Sequence, residues 1–475
     1  MTQIHDQTAQ GLAALVRSRE LSPVEITEHV LRRTEQHDPA LGSFISVMPE
    51  MALEQALNAE KRVMSEAPDG LPLLLGVPIP VKDLEPVAGA PVTHGSRLYR
   101  NTVAPADSGV VARLRAAGAV FTGKTNTPEF GSSCYTENRI APPTRNPWDS
   151  ALTPGGSSGG AGAAVAARLA PVAHGSDGGG SIRIPASACG LFGLKPTRGR
   201  ISGAPARADL LGLSTSGPLT RTVADAALLL DTMAFSAPGD PFRAPEHRGS
   251  FLRHLDEEPG SLRIGTCAGT GSAGVELHPH VRAAHEESIA LLTGLGHEIE
   301  EVPVPYDTHF EGLFAEDFGV LWAAMASAAP VPPEHEGELT ELNRWLRERA
   351  RAASAPRLVE ALGRLQQGVR SFMIATAHLD ALLTPTLARP PVPVGHFTEE
   401  GPERTFELMT EFSPFTSLYN VTGQPSVNVP LSWSPDGLPV GSMLSAPAGG
   451  EGTLLSLSAQ LERARPWEHR VPPGV

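Results

Sequence analysis

A long run of small residues between positions 153 and 200 constrains this 475-residue chain more than any other feature of its sequence. Two glycine-rich stretches lie in it, TPGGSSGG at 153–160 and GSDGGGSIRIP at 175–185. Glycine adopts backbone conformations, and permits close backbone approaches, that a Cβ atom resists. The run therefore predicts tight turns in which serine hydroxyls follow directly on bare backbone.

The second stretch places three glycines immediately before Ser181. Consecutive amides from Gly178, Gly179, Gly180 and Ser181 can form an anion nest, which suits the charge that develops on a carbonyl oxygen under attack. A tight loop that merely ends in serine is an equally good interpretation of this stretch alone. The nearest histidine, His174, lies seven residues upstream without an Asp-His pair nearby. The stretch by itself therefore names no base for Ser181.

Two other stretches carry residues that could act together with such a serine. In TPGGSSGG, Ser157 and Ser158 stand between glycine pairs at the start of an alanine-rich helix, where an N-cap role is the ordinary interpretation. GVPIPVKD, at 76–83, places Lys82 at the end of an apolar strand. Most lysines at strand ends are solvated, but a desolvated lysine loses affinity for its proton and can serve as a base.

One motif in the chain is rejected on its context. GAVFTGKT, at 118–125, matches the phosphate-loop pattern G-x-x-x-x-G-K-T. A phosphate loop follows a strand and opens a helix, whereas here a helical pattern precedes Gly118 and β-prone residues fill the loop. The stretch instead predicts a strand. We expect no cofactor, and no metal either, since His278, His280 and His285 have spacings that do not pair ligands on one helix face.

Charge and apolar content exclude two classes of partner. The net charge is −14 and no basic run occurs, which argues against nucleic-acid binding. The longest apolar stretch, LPLLLGVPIPV, is too short and too rich in proline to span a membrane. The N-terminal sequence has no basic leader or apolar signal region. Three unpaired cysteines indicate reduced thiols, and together these features predict a cytoplasmic protein.

Strand and helix patterns alternate along most of the chain, which is typical of an α/β fold. Ser22, Pro23 and Glu25 form a capping box and predict a helix start. The segment 306–375 is mostly helical, with a stripe at Phe310, Phe314 and Phe318 that is interpreted as core more readily than as substrate wall. Without a repeat or a linker, the chain predicts one α/β domain with a helical cover.

Together the motifs resemble the amidase signature family. GVPIPVKD, GKTNTPEFG, TRNPWD, TPGGSSGG, SDGGGSIRIPAS and GLKPTRGRIS occur in the family's order, followed by SGPLTRTVADAALLLD and YNVTGQPSVNVP. The resemblance spans about residues 8 to 468. It implies a single domain over 1–475 with a central mixed sheet of about ten or eleven strands covered by helices on both faces. It also implies a catalytic core at about 65–235 and a helical substrate-covering segment at about 306–375.

The resemblance implies a Ser–cis-Ser–Lys triad in place of histidine. On the matching positions Ser181 is the nucleophile, Ser157 is the bridging serine preceded by a cis peptide bond, and Lys82 is the base. Asp177 and Arg183 match positions that hold the loop around the nucleophile. The remaining implied site residues are the oxyanion-hole amides of Gly178, Gly179 and Gly180, and four weaker candidates for the substrate pocket, Gly131, Ser132, Cys134 and Phe318.

The activity implied is hydrolysis of a small-molecule carboxylic amide to a carboxylate and an amine or ammonia, through a seryl acyl-enzyme. The motifs are similar to those of bacterial hydrolases of linear and cyclic amides, including the 6-aminohexanoate cyclic-dimer hydrolase type. Alternatives are an amide-forming acyltransferase and the glutaminase subunit of a tRNA-dependent amidotransferase. That subunit usually carries an acid where FSPFTSLYNVTG has Ser413. A silent binding protein is a third alternative, and a homodimer stays open. The apolar content of 306–375 favours an apolar acyl group.

Overall fold

The computed structural model describes residues 3–207, 211–271, 274–303 and 313–474 of the chain. Within these ranges eleven strands form one sheet. They are β1 (Phe44–Val47), β2 (Val81–Lys82), β3 (Gly123–Thr125), β4 (Val172–Asp177), β5 (Phe192–Lys195), β6 (Thr215–Thr220), β7 (Arg263–Thr266), β8 (Glu298–Glu301), β9 (Ala381–Pro385), β10 (Ser426–Trp433) and β11 (Pro439–Ser445).

The strand order in the sheet is β1-β3-β2-β4-β6-β5-β10-β11-β9-β7-β8. Strand β2 runs parallel to both β3 and β4, and β7 runs parallel to both β8 and β9. The remaining neighbours pair in the antiparallel sense. The sheet is therefore mixed, which confirms the predicted sheet of ten or eleven strands.

The α-helices of the described residues lie between and after these strands. They are α1 (Ala9–Arg17), α2 (Pro23–Leu41), α3 (Pro49–Ser65), α4 (Gly109–Ala116), α5 (Gly159–Ala166), α6 (Arg183–Cys189), α7 (Val223–Met233), α8 (Pro279–Gly294), α9 (Leu313–Ala326), α10 (Glu341–Ala352), α11 (Ala355–Ala375), α12 (Pro402–Phe412), α13 (Leu418–Thr422) and α14 (Glu451–Ala464). The predicted capping box is present, because Ser22 and Glu25 satisfy each other's backbone amides at the start of α2.

Helices cover both faces of the sheet. Val172 and Ala173 are consecutive residues of β4, so their side chains point to opposite faces. Val172 packs in a large apolar cluster with residues of α1, α4, α7 and α14, whereas Ala173 packs with residues of α5 and α6. This arrangement confirms the predicted α/β fold with helices on both sides.

The predicted helical cover contains α9, α10 and α11. Its first part, with Phe310, lies outside the described residues. The division into a core at about 65–235 and a cover at about 306–375 stays a prediction. Among the described helices, none combines the length and the apolar character that a membrane crossing requires.

Candidate active site

Three loops meet where parallel strands β2 and β4 lie side by side. Val81 of β2 pairs with His174 of β4, so the next residue, Lys82, lies beside the end of β4. Ser157 lies two residues before α5, which packs against β4, and Ser181 lies in the turn between β4 and α6. The amide of Ser158 donates to the carbonyl oxygen of Ser181 over 3.2 Å, which ties the two serine turns together.

The amino group of Lys82 is buried and contacts polar atoms of Ser157 and of Ser176 in β4. Its side chain is 0% exposed, and Nζ lies 2.8 Å from Oγ of Ser157. The carbonyl oxygen and the hydroxyl of Ser176 each lie 3.1 Å from the same Nζ. Lys82 is therefore a buried group in direct contact with Ser157, and not the solvated lysine that is usual at a strand end.

Burial changes the proton affinity of this lysine. Removal from water disfavours the charged ammonium, and it lowers the pKa of Lys82 from 10.5 to about 7, although the Asp177 carboxylate opposes the shift. A large share of Lys82 is therefore neutral near physiological pH. The neutral amine has a lone pair that can accept a proton, which the ammonium lacks.

The two candidate serines open into one cavity. The peptide bond between Gly156 and Ser157 is cis, as the resemblance implies. Ser157 and Ser181 both line a cavity of about 370 Å³, here named the serine cavity. In the described structure their hydroxyls form no direct hydrogen bond with each other. Gly131 lies against this pair, since a Cβ atom there would stand 3.2 Å from Oγ of Ser157.

Asp177 holds the turn that carries Ser181. Its carboxylate accepts hydrogen bonds from the amides of Gly180 and Ile182, at 2.7 and 3.1 Å, and from the guanidinium of Arg183 at 2.9 and 3.0 Å. Burial alone would raise the pKa of Asp177, but the Arg183 cation outweighs it and keeps that pKa well below its usual range. The carboxylate is thus charged and fixes the turn.

These contacts correct one part of the sequence prediction. The amide of Gly180 already donates to Asp177 over 2.7 Å, so it is not available as an oxyanion donor. The turn instead requires glycine at position 180, because the φ of Gly180 is +129° and a Cβ atom there would stand 2.3 Å from Oγ1 of Thr416. Within the described chain the amides of Gly178 and Gly179 donate to no other residue. These two amides, with that of Ser181, remain the candidate donors.

The ion pair between Asp177 and Arg183 leads to a stability prediction. Both side chains are 0% exposed. Removal of one partner leaves an uncompensated buried charge, which typically costs about 3–5 kcal/mol. We expect Arg183→Met to lower the free energy of unfolding by about that amount, measured by denaturant titration.

The matched control for this variant is Arg62→Met. Arg62 pairs with Glu66 at 2.6 Å, but the two side chains are 42% and 38% exposed, and ion pairs that reach solvent contribute little to stability. An Arg183→Met protein whose unfolding midpoint moves no further than that of the control would contradict a structural role for the buried pair.

The helical cover places aromatic rings over the turn. Phe314, Phe318 and Trp322 of α9 stack in a ladder, with ring centroids 5.8 and 5.6 Å apart. A Cβ atom added at Gly179 would stand 3.4 Å from the Phe318 ring, and one added at Gly178 would stand 3.4 Å from the Trp322 ring. The rings thus lie directly on the backbone that presents Ser181.

The four weaker pocket candidates all lie beside the serines. Gly131 and Ser132 line the serine cavity. Cys134 and Phe318 line a second cavity of about 890 Å³, here named the aromatic cavity, which also reaches Ser181. The structure thus brings these candidates to the site from two separate segments of the chain. Their contact with a substrate stays a prediction.

Sequence reasoning missed two residues of this site. Ser176 contacts Lys82 through two atoms, although the motif predicted roles only for its glycines, Asp177, Ser181 and Arg183. Trp322 donates its indole N–H to the carbonyl oxygen of Ser132 over 3.0 Å. The sequence could have indicated Trp322, because it follows Phe318 by four residues and therefore lies on the same helix face.

The rejected phosphate-loop motif forms part of the sheet beside the site. Gly123–Thr125 is strand β3, and Lys124 is 0% exposed. Its Nζ pairs with Oδ1 of Asp83 at 3.2 Å and donates to the carbonyl oxygen of Glu85 over 2.7 Å. Lys124 is therefore a structural cation. Among the residues that the structure describes, no group of three or more His, Cys, Asp or Glu side chains is arranged to hold a metal ion.

Known proteins match this chain over nearly its whole length. The Amidase family model matches residues 25–455. A putative amidase, AmiB2, of Mycobacterium tuberculosis (strain ATCC 25618 / H37Rv) is 39% identical over 98% of this chain and 97% of its own length. The solved structure of 6-aminohexanoate cyclic dimer hydrolase complexed with substrate has a TM-score of 0.90 at 33% identity, and the match covers 99% of each chain.

A second solved structure is nearly as similar in fold, with a lower sequence identity. The crystal structure of a bacterial aryl acylamidase of the amidase signature enzymes has a TM-score of 0.89 at 27% identity, and the match covers 100% of both chains. The family model and the relatives extend over nearly the whole sequence, with the serine turns and Lys82 inside the matched range. The chain therefore belongs to the Amidase family, and it is a hydrolase that acts on carbon–nitrogen amide bonds.

Proposed function

We propose that this chain hydrolyses a small-molecule carboxylic amide to a carboxylate and an amine or ammonia through an acyl-enzyme on Ser181. One observation carries the proposal. The buried Lys82 has its Nζ 2.8 Å from Oγ of Ser157, and the Ser157 hydroxyl opens into the same cavity as Ser181. This arrangement supports the assignment of Lys82 as base, Ser157 as relay and Ser181 as nucleophile, which is the Ser-Lys form of activated-serine catalysis.

The hydrogen-bonding capacity of neutral Lys82 favours a proton route through Ser157. A neutral amine has two N–H donors and one lone pair. The two donors are directed to the carbonyl oxygen and the hydroxyl of Ser176, each at 3.1 Å. The lone pair is then left for the O–H of Ser157 at 2.8 Å. Ser157 can pass its proton to Lys82 only if it takes one in return, and Ser181 supplies it.

Acylation follows from this route. Oγ of Ser181 bonds to the amide carbon while its proton moves to Ser157, and the Ser157 proton moves to Lys82. The negative charge on the former carbonyl oxygen is held by the amides of Gly178, Gly179 and Ser181, in the manner of an oxyanion hole. The carbon–nitrogen bond then breaks as the proton returns from Lys82 through Ser157 to the departing nitrogen. Catalytic hydrogen bonds often shorten when substrate binds, and we expect this of the Ser157–Ser181 contact.

Deacylation repeats the same transfers with water. Water gives one proton to the relay, its oxygen bonds to the acyl carbon, and the carbon–oxygen bond to Ser181 breaks as Oγ recovers a proton. The products are the free carboxylate and a regenerated enzyme. The acyl-enzyme should be visible as a mass increase equal to the acyl group when a slowly hydrolysed substrate is quenched in acid.

The alternative functions differ from hydrolysis of a small-molecule amide in one respect each. The acyltransferase passes the acyl group to an amine, and the glutaminase subunit uses glutamine as its amide. Ser413, where the glutaminase subunit usually carries an acid, directs its hydroxyl to the carbonyl oxygen of Met409 over 3.0 Å. That position therefore provides no anion for a glutamine amino group. Transfer to an amine uses the same acyl-enzyme, and product analysis with and without added amine separates it from hydrolysis.

The pKa of Lys82 predicts a pH dependence. Lys82 acts only when neutral, and its pKa is about 7. We expect kcat/KM to rise about tenfold per pH unit below pH 7 and to level off near pH 8, since the neutral fraction follows that course. The measurement is a pH profile of amine release with the fold monitored by circular dichroism. A steady fall of kcat/KM between pH 6 and 9 would rule out lysine as the base.

A further inference from the structure

A side chain from a distant segment holds the glycine turn that carries Ser181. Thr416 lies between α12 and α13, and its side chain is 0% exposed. Its hydroxyl donates to the carbonyl oxygen of Gly179 over 2.6 Å, and no other described group bonds to that oxygen. In the described structure Thr416 lines neither the serine cavity nor the aromatic cavity. It therefore contacts the turn without facing the space that is open to a substrate.

The peptide unit between Gly179 and Gly180, here named the central peptide unit, is held at both ends. Its carbonyl oxygen accepts from Thr416, and its amide donates to Asp177 over 2.7 Å. A peptide unit is planar and rigid, so two hydrogen bonds in opposite directions prevent its rotation about the chain. Glycine has no Cβ atom to restrict its own backbone torsions. The two bonds therefore supply a restraint that the glycines themselves lack.

The central peptide unit lies between two of the candidate oxyanion donors. The peptide unit before it carries the amide of Gly179, and the one after it carries the amide of Ser181. Each of these amides is joined to the central peptide unit through a single α carbon, so its direction depends on how that unit is held. Oxyanion donors are effective when they are already directed at the position where charge develops. A fixed central peptide unit favours this condition for both amides.

Thr416 is itself anchored to the turn that it holds. Its carbonyl oxygen accepts from the Arg183 guanidinium over 2.8 Å, and Arg183 also pairs with Asp177. A Cβ atom added at Gly180 would stand 2.7 Å from Cβ of Thr416, so the threonine packs directly against the backbone. A β-branched side chain has restricted rotation about χ1. The hydroxyl of Thr416 is therefore held in one direction by packing and by the chain on which it lies.

From these contacts we infer that Thr416 is a positioning residue for the oxyanion hole: its hydroxyl fixes the central peptide unit, and the fixed unit directs the two neighbouring amides at the carbonyl oxygen under attack. The inference rests on the proposed acyl-enzyme function and adds to it a residue 237 positions away from Gly179. Such a residue stabilises the tetrahedral intermediate and not the planar substrate, because the charge on the oxygen develops only as Ser181 attacks.

Two substitutions separate the hydroxyl of Thr416 from the space that its side chain fills. Thr416→Val keeps the shape and loses the hydrogen bond, whereas Thr416→Ser keeps the hydroxyl. We expect Thr416→Val to lower kcat about 10- to 100-fold, less than the loss of a direct oxyanion donor. Its KM should stay within about twofold, since the planar substrate does not use the oxyanion hole. Thr416→Ser should keep kcat within about threefold, because the hydrogen bond is retained.

Thr232→Val is the matched control for the loss of a buried threonine hydroxyl. Thr232 is buried in α7, and its hydroxyl donates to one carbonyl oxygen, that of Leu228, over 2.9 Å. In the described structure it lines neither cavity at Ser181. We expect Thr232→Val to leave both kcat and KM unchanged.

Two assays on the full-length enzyme measure the planar and the tetrahedral states separately. Formation of free amine or ammonia is followed with hexanamide, benzamide, acetanilide and caprolactam. Phenylboronic acid bonds through boron to Oγ of Ser181, and the tetrahedral adduct places an oxygen where the oxyanion develops. Its inhibition constant should rise in Thr416→Val by about the factor by which kcat/KM falls, since transition-state analogues follow transition-state binding. A variant that is only less stable would lose active sites without a change in this constant.

The possible outcomes separate this inference from the function on which it rests. If the unmodified enzyme hydrolyses none of the four amides, or if Ser181→Ala hydrolyses them equally well, the proposed function is wrong. If hydrolysis depends on Ser181 but Thr416→Val keeps both kcat and the boronate inhibition constant, the inference alone is wrong. A fall in kcat with an unchanged inhibition constant also overturns it, because Thr416 would then act on stability only. Where Thr416→Val fails to fold, Thr416→Cys, which retains only a weak S–H donor, decides between the same results.

Discussion

Replacement of Ser181 by alanine is expected to lower kcat/KM by about 10⁴- to 10⁶-fold, the range found when an activated serine nucleophile is removed. The variant keeps the fold, since the hydroxyl of Ser181 makes no hydrogen bond with another described residue. Amine release from a small-molecule amide substrate measures the loss, and the acid-quenched mass increase should disappear with it.

Ser158→Ala is the matched control for this variant. Ser158 is the next residue after Ser157, and its hydroxyl donates to the carbonyl oxygen of Ser176 over 3.1 Å. Ser158→Ala removes this hydrogen bond to Ser176, which contacts Lys82, but it leaves Lys82, Ser157 and Ser181 unchanged. We expect a loss of about tenfold, the scale of one neutral hydrogen bond. Equal losses in Ser158→Ala and Ser181→Ala would show that the assay reports general disruption of the turn and not loss of the nucleophile.

Replacement of Lys82 by methionine should lower kcat/KM by about 10³- to 10⁴-fold, because it removes the proton acceptor of the relay and keeps most of the side-chain volume. The residual activity should no longer rise between pH 6 and 8. A residual activity that still rose through pH 7 would show that another group is the titrating base.

Lys195→Met provides the comparison at a second buried lysine. Lys195 is fully buried, and burial lowers its pKa to about 7, the same value as that of Lys82. Its Nζ donates to the carbonyl oxygen of Pro196 over 3.0 Å and contacts neither candidate serine. We expect Lys195→Met to keep the rise of kcat/KM through pH 7. If the rise vanished in Lys195→Met and persisted in Lys82→Met, the base would be misassigned.

Much of the fold could be predicted because its signals are local. The capping box at Ser22, the helix that ends before Gly118 and the strand in GKT each depend on neighbouring residues, and each occurs where the pattern places it. The mixed sheet of eleven strands came from the family resemblance and not from periodicity, because short strands such as Val81–Lys82 carry too few residues to show a period.

The candidate site could be predicted in its residue types but not in its hydrogen bonding. Gly180 was expected to donate to the oxyanion, yet its amide is bonded to Asp177. A glycine run shows only that amides are close to Ser181, whereas the direction of each N–H depends on what surrounds the turn. Trp322 was overlooked for a similar reason, since its contact with Ser132 joins residues 190 positions apart.

The sequence by itself determined which groups are present and in what order: Lys82 after an apolar strand, Ser157 between glycine pairs, and Ser181 after three glycines. It also excluded a phosphate loop, since local strand propensity is a property of adjacent residues. Only the tertiary structure decided that Lys82 is buried, that its pKa falls to about 7, and that Ser157 lines one cavity and not the other. Burial and proton affinity depend on atoms contributed by distant segments, which come together only when the sheet and its helical cover pack.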